Sequence, residues 1–111
     1  MGPGDIYWVN LVPRGGHAQA GRRPAVVVQN QTACDQLTMV LVVPLTSQRD
    51  ADKFKGTAVI YPDADNRVPR TSVALAFQAT AVDKTFLTEL VGRLSDDDLG
   101  RVMAAIDEIL V

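Results

Sequence analysis

With 111 residues, 47% of them apolar, and a formal net charge of −2, the chain is sized for one domain, residues 1–111, around a modest core. No apolar run approaches the roughly 20 residues that cross a bilayer, and one cysteine, Cys34, rules out an internal disulfide framework. One cysteine and one histidine also argue against a zinc site built from thiolates and imidazoles.

Charge is unevenly spread. Residues 1–56 carry six Lys/Arg against four Asp, and residues 57–111 carry five against nine Asp/Glu, so the halves stand at +2 and −4. Eight of the eleven cations are arginine, whose planar fork suits phosphate. The local charge around a groove, not the total, decides whether it draws a polyanion. Met1–Asp5 lacks the basic and apolar regions of a signal peptide, which predicts a cytoplasmic setting.

The first predicted element is a strand over Asp5–Leu11, rich in aromatic and β-branched residues. Ile6 and Trp8 share one face; Tyr7, Val9 and Leu11 share the other. Residues 13–21 read as a loop with Gly15, Gly16 and Gly21, carrying Arg14, His17 and Gln19. Gly21 permits unusual backbone angles, and Pro24, which cannot donate to a ladder, suits the first residue of a strand. A second strand is expected over Ala25–Gln29, and its unbroken apolar run predicts a central position. Arg22 and Arg23 then stand as fixed cations at the mouth of that strand.

Asn30–Gln36 reads as a polar turn and Thr38–Leu45 as a buried strand closed by Pro44, with a polar loop at Thr46–Gln48. The charged stretch Arg49–Gly56 is expected to be exposed. Short strands are predicted over Thr57–Tyr61 and Ser72–Phe77, with sheet continuing through Gln78–Val82. Between them, Pro62–Asn66 has strong turn chemistry. Leu87–Leu94 fits a short strand or a turn. Ser95 opens the last element as N-cap, with three aspartates in the first turn. Leu99, Val102, Met103, Ile106, Ile109 and Leu110 then recur at helical spacing, predicting an amphipathic helix from about Asp96 onward. It is expected to pack on the sheet as a lid and to carry no chemistry. Many short strands with one terminal helix make the class mainly β or α+β, a small barrel or sandwich.

Composition and periodicity stop at a small β domain with an arginine-bearing loop. Three ordered stretches go further. Gly4-Asp5-Ile6-Tyr7-Trp8-Val9, the run from Gln19 through Gly21-Arg22-Arg23-Pro24 to Val28, and Val43-Pro44-Leu45-Thr46-Ser47 together resemble the MazF/PemK toxin family. Ser72–Leu75, Gln78 and the terminal helix extend the likeness over most of the chain. The resemblance implies an SH3-like small β-barrel with a C-terminal helix. It implies a homodimeric, metal-independent and cofactor-free endoribonuclease that cuts single-stranded RNA and is silenced by a cognate MazE-like antitoxin. It also implies Arg23 and Thr46 as catalytic residues, and RNA contacts from the loop around His17–Gln19 and from Gln78. Arg14, Arg22 and Ser47 join them as expected RNA contacts, Arg22 as a phosphate-steering cation.

The chemistry is consistent with those residue types. RNA carries its own nucleophile, the 2′-OH beside the scissile phosphate. The protein must align it, stabilise charge on phosphorus and assist the 5′ oxygen. A fixed guanidinium does the second task, because charge-assisted hydrogen bonds strengthen as charge develops. Two positions depart from the family pattern: Ala18 stands where many members have Glu, and Phe77 where many have an acid. A carboxylate base at position 18 is thus lost, leaving the general base open. His17, with an ordinary pKa near about 6.5, is the candidate to supplement proton transfer. Tyr7 and Trp8 could stack bases, with core packing as the main expectation, and Cys34 reads as an inert thiol. Two other functions fit a domain of this class: a CcdB-like gyrase poison and a non-catalytic RNA-binding module.

Overall fold

The computed structural model describes residues 1–11 and 21–110. Among them seven strands form one antiparallel sheet: β1 (Asp5–Leu11), β2 (Gly21–Val27), β3 (Met39–Thr46), β4 (Thr57–Ile60), β5 (Ser72–Leu75), β6 (Thr80–Asp83) and β7 (Leu87–Arg93). A short helix, α1 (Gln31–Gln36), joins β2 to β3, and α2 (Asp96–Leu110) ends the described chain. Neighbouring strands run β4-β5-β3-β2-β1-β7, with β6 also paired to β3. The expected mainly β, α+β class with a terminal helix stands. The hydrogen-bonded path is open, with β4 and β7 as its end strands.

The apolar runs in β2 and β3 are unbroken because both faces of the sheet are covered. Adjacent residues sort to opposite sides. Ile6, Val26, Val43 and Leu45 join Val102 and Ala105 of α2 in one core. Val9, Ala25, Val27, Val40 and Val42 join Cys34 and Val82 in a second. Burying each such valine or leucine contributes about 1.5–3 kcal/mol, so the two small cores together hold the central strands.

Proline placement differs from the sequence expectation. β2 begins at Gly21, four residues early, and Pro24 lies within it, opposite Trp8. The reason is one-sided pairing. β1 follows β2 from Gly21 to Val26, but β3 joins only at Ala25–Val27, so at Pro24 one flank of β2 has no ladder partner. Gly21 has φ +82°, the left-handed conformation that glycine tolerates at the loop-to-strand transition. Pro44 likewise lies inside β3, not at its end. The chain beside it gives way instead. β5 pairs with Leu45 and Thr46, β6 pairs with Met39–Val42, and between them Ala76–Gln78 bulge out as a 3-10 turn. That break falls alongside Val43 and Pro44, where proline has no N–H to offer.

One other segment departs from expectation, and two take a form the sequence left open. Residues 31–36 are helical, not a turn: Asn30 Oδ1 accepts from Ala33 N at 2.8 Å as N-cap, and Cys34 is the one buried anchor. Such a short helix leaves no periodicity to detect. Arg49–Lys53 forms a 3-10 turn within the exposed charged stretch. Residues 87–93 are a full strand, paired with β1 through Trp8–Glu89 and Tyr7–Leu90. Helix α2 starts as expected, with Ser95 Oγ accepting from Asp98 N at 3.1 Å. Its buried face is Val102 and Ala105, flanked by part-buried Leu99 and Ile106. Met103, Ile109 and Leu110 are exposed. Arg101 reaches from α2 to donate to the Val59 carbonyl at 2.6 Å, which shields the free edge of β4.

Candidate functional site

Two strand ends build the site. Arg23 is the third residue of β2, half-buried and paired with Val9 of β1. Thr46 is the last residue of β3 and only 4% exposed. The β2–β3 register runs Val27–Val42, Val26–Val43, Ala25–Pro44. The ladder ends there, and Arg23 and Thr46 each lie two residues beyond its last pair. Alternate residues of a strand share a face, so Arg23 projects with Ala25 and Thr46 with Val42, on the side of the Cys34 core. Thr46 Oγ1 accepts from Gln48 N at 3.2 Å, which fixes the hydroxyl oxygen and leaves its proton to donate. Among the described residues nothing forms a hydrogen bond or ion pair with the Arg23 guanidinium.

Ser47 follows β3 directly and is exposed. Gln78 ends the 3-10 turn that bulges beside β3 and is half-buried, with a polar partner of its own. Arg22 is not beside Arg23. As the next residue along a strand it projects on the opposite face, where its guanidinium lies 4.5 Å from the centroid of the Trp8 ring and 3.0 Å from Glu89 Oε2. Arg14, His17, Gln19 and Ala18 fall in residues 12–20, outside the described residues. No group of three or more His, Cys, Asp or Glu able to hold a metal occurs among the described residues.

Tyr7 packs against the Cys34 core, and burial first, then the Asp5 charge, pushes its hydroxyl pKa up. Cys34 is buried, its thiol lies 3.5 Å from the Gln29 carbonyl, and burial raises its pKa. A thiol so placed has little thiolate to react. Two features escaped the sequence reading. Glu89 holds Arg22, and it lies in the segment that fitted strand or turn alike, so its partner was not legible. Among the described residues nothing bonds the buried hydroxyl of Thr80, opposite Val42; a strand threonine carries no signal of that kind.

The arrangement is a buried hydroxyl at the end of β3 and, among the described residues, an unpaired guanidinium near the start of β2, on one face of the sheet. Comparison with known proteins gives the class. Residues 2–110 match the family model described as PemK-like, MazF-like toxin of type II toxin-antitoxin system. An endoribonuclease MazF from Staphylococcus saprophyticus is 34% identical over 107 residues, covering 96% of this chain and 88% of the relative. The crystal structure of MazF from Deinococcus radiodurans has a TM-score of 0.82 at 24% identity, covering 99% of this chain and 96% of that one. A MazE–MazF structure from the same organism has a TM-score of 0.75 at 25% identity, with 99% and 95% covered. This chain belongs to the PemK/MazF family of type II toxins.

Proposed function

We propose that this chain is the toxin of a type II toxin–antitoxin pair and acts as a sequence-specific endoribonuclease on single-stranded RNA in the cytoplasm. The 2′-OH attacks the neighbouring phosphorus, so an O2′–P bond forms and the P–O5′ bond breaks. The products are a 2′,3′-cyclic phosphate and a 5′-OH. The proton leaving O2′ passes to a base, and the departing O5′ receives one. Arg23 meets the charge that builds on the phosphoryl oxygens, and Thr46 donates its hydroxyl to one of them. His17 assists proton transfer. Arg14, Gln19, Ser47 and Gln78 contact the strand, and no metal takes part.

The observation that supports this reading is that Arg23 and Thr46 lie on one face of the sheet, each two residues past the last β2–β3 pair. A guanidinium and a hydroxyl are donors that suit the same anion. The family and the staphylococcal endoribonuclease support the substrate class. The MazE–MazF structure supports an antitoxin partner, an acidic and apolar extended segment competing with RNA for the basic mouth of β2. A homodimer is supported by the exposed apolar row of Met39 and Leu41 on β3 with neighbouring Leu37, the kind of surface a partner copy covers.

Purified protein incubated with mixed-sequence RNA in EDTA tests the reading. Discrete cuts ending in a cyclic phosphate and a 5′-OH are expected, and mapping them gives the recognised sequence. RNA left intact, whether merely retained or accompanied by stalled gyrase, would overturn it.

A further inference from the structure

On the face opposite Arg23 and Thr46, three side chains from three neighbouring strands form a stack. Trp8 of β1 lies beneath the Arg22 guanidinium of β2, 4.5 Å from centroid to Cζ. Glu89 of β7, paired with Trp8 in the ladder, grips the same guanidinium at 3.0 Å. Arg22 and Glu89 are half to two-thirds exposed, at 51% and 67%. An ion pair that wet contributes at most about 1 kcal/mol and exchanges readily. A phosphate offers the guanidinium the same two-oxygen geometry as a carboxylate, and an indole face stacks any nucleobase.

We propose that Trp8 and Arg22 form a nucleotide-stacking subsite that Glu89 occupies, as a phosphate mimic, in the free protein. The proposal rests on the ribonuclease reading and names where a nucleotide flanking the cut is seated. RNA that reaches Arg23 on one face of β2 continues past the flank that β3 leaves open to Arg22 on the other face. Its next phosphate displaces the Glu89 carboxylate from Arg22, and a base settles on the indole. Glu89 thereby sets a threshold: only a strand that supplies both phosphate and base opens the stack. The subsite is sequence-tolerant, since every base has a π-face, and it contributes to KM rather than to the chemical step.

Trp8 is the sole tryptophan, so its emission reports the stack directly. The full chain is titrated with a mixed-sequence 2′-O-methyl oligoribonucleotide, which lacks the attacking hydroxyl and is not cut. Saturable change in tryptophan emission is expected. Glu89→Gln should bind about 2–5-fold more tightly, the loss of one competing exposed ion pair. Arg22→Gln should flatten the slope of log affinity against log salt by about 0.7, one phosphate contact. With cleavable RNA, Trp8→Leu should raise KM about 5-fold or more with kcat within about 2-fold, whereas Trp8→Phe keeps a ring and stays near wild type. Emission that stays unchanged at saturating oligonucleotide, or equal KM in Trp8→Leu and wild type, overturns the subsite, as it would if the stack served a protein partner. Wild-type cleavage run alongside separates the two readings. Cutting with a silent tryptophan sinks only the subsite, and absence of cutting sinks the ribonuclease.

Discussion

Arg23 and Thr46 lie on the same face of the sheet, each two residues beyond the Ala25–Pro44 pair that ends the β2–β3 ladder. Their backbones are held by different ladders, Arg23 by Val9 of β1 and Thr46 by Val73 of β5. The two backbones are therefore anchored independently of each other.

Removing either donor should act on the chemical step. Arg23→Ala is expected to lower the single-turnover cleavage rate by about 10²–10³, the usual cost of one preorganised donor to developing charge. Arg23→Lys should recover little, because an ammonium lacks the planar fork. Thr46→Val should fall by a comparable factor, while Thr46→Ser keeps the hydroxyl and most of the rate. Cleavage of end-labelled RNA with excess enzyme measures all four, and wild-type rates in Arg23→Ala would remove the mechanism.

Gly56 and Gly92 are expected to be sensitive for steric reasons. Gly56 has φ +72°, and a Cβ there would stand 2.7 Å from Cγ2 of Ile109 in α2. Its N–H also donates to Glu108 Oε1 at 2.7 Å, so this point ties the sheet to the last turn of the helix. Gly56→Ala should cost about 1–3 kcal/mol. At Gly92 a Cβ would collide with the backbone oxygens of Asp65 and Asn66, which cannot swing aside. Gly92→Ala should cost more than about 3 kcal/mol. Urea unfolding of the two variants checks the order, and an equal loss would contradict it.

Asn66 organises the turn that receives Gly92. It is fully buried, donates Nδ2 to the Tyr61 carbonyl at 2.9 Å, and accepts at Oδ1 from the N–H groups of Asp63 and Val68, both at 3.1 Å. Asn66→Ala leaves these backbone groups without partners and should destabilise by about 2–5 kcal/mol. Asn66→Asp keeps the acceptor but loses the donor and buries a charge, so it should not rescue. Thermal melts of the three proteins measure this.

Stability should depend on pH through Asp83. Its carboxylate accepts from the Thr85 N–H at 2.9 Å and the Thr85 hydroxyl at 2.8 Å, and these bonds, the backbone one first, hold its pKa below the usual value. A depressed folded pKa contributes stability that is present above the unfolded pKa and lost as pH falls through the folded one. Asp83→Ala should therefore be less stable than wild type at neutral pH, with the gap narrowing in acid. A gap in denaturation midpoint that stays constant from about pH 7 to about pH 2 would show that ionisation plays no part.

Local pattern in the sequence determined much of this molecule. The strand-forming runs at 5–11, 39–46, 57–60 and 72–75, the Ser95 cap and the start of α2 all follow from side-chain period, turn chemistry and capping within a few residues. The family motifs also lie in contiguous stretches, so the toxin class was legible before any fold was known. Tertiary structure decided what depends on neighbours distant in the chain. Pro24 could enter β2 because β3 leaves that flank open. Residues 87–93 became a strand because β1 offered an unpaired edge. Met103, Ile109 and Leu110 stay exposed because the buried face of α2 runs through Val102 and Ala105. Arg22 and Arg23, adjacent and chemically identical, acquired different surroundings because a pleated strand turns successive side chains to opposite faces. One meets Trp8 and Glu89, and the other lies on the face of the Cys34 core.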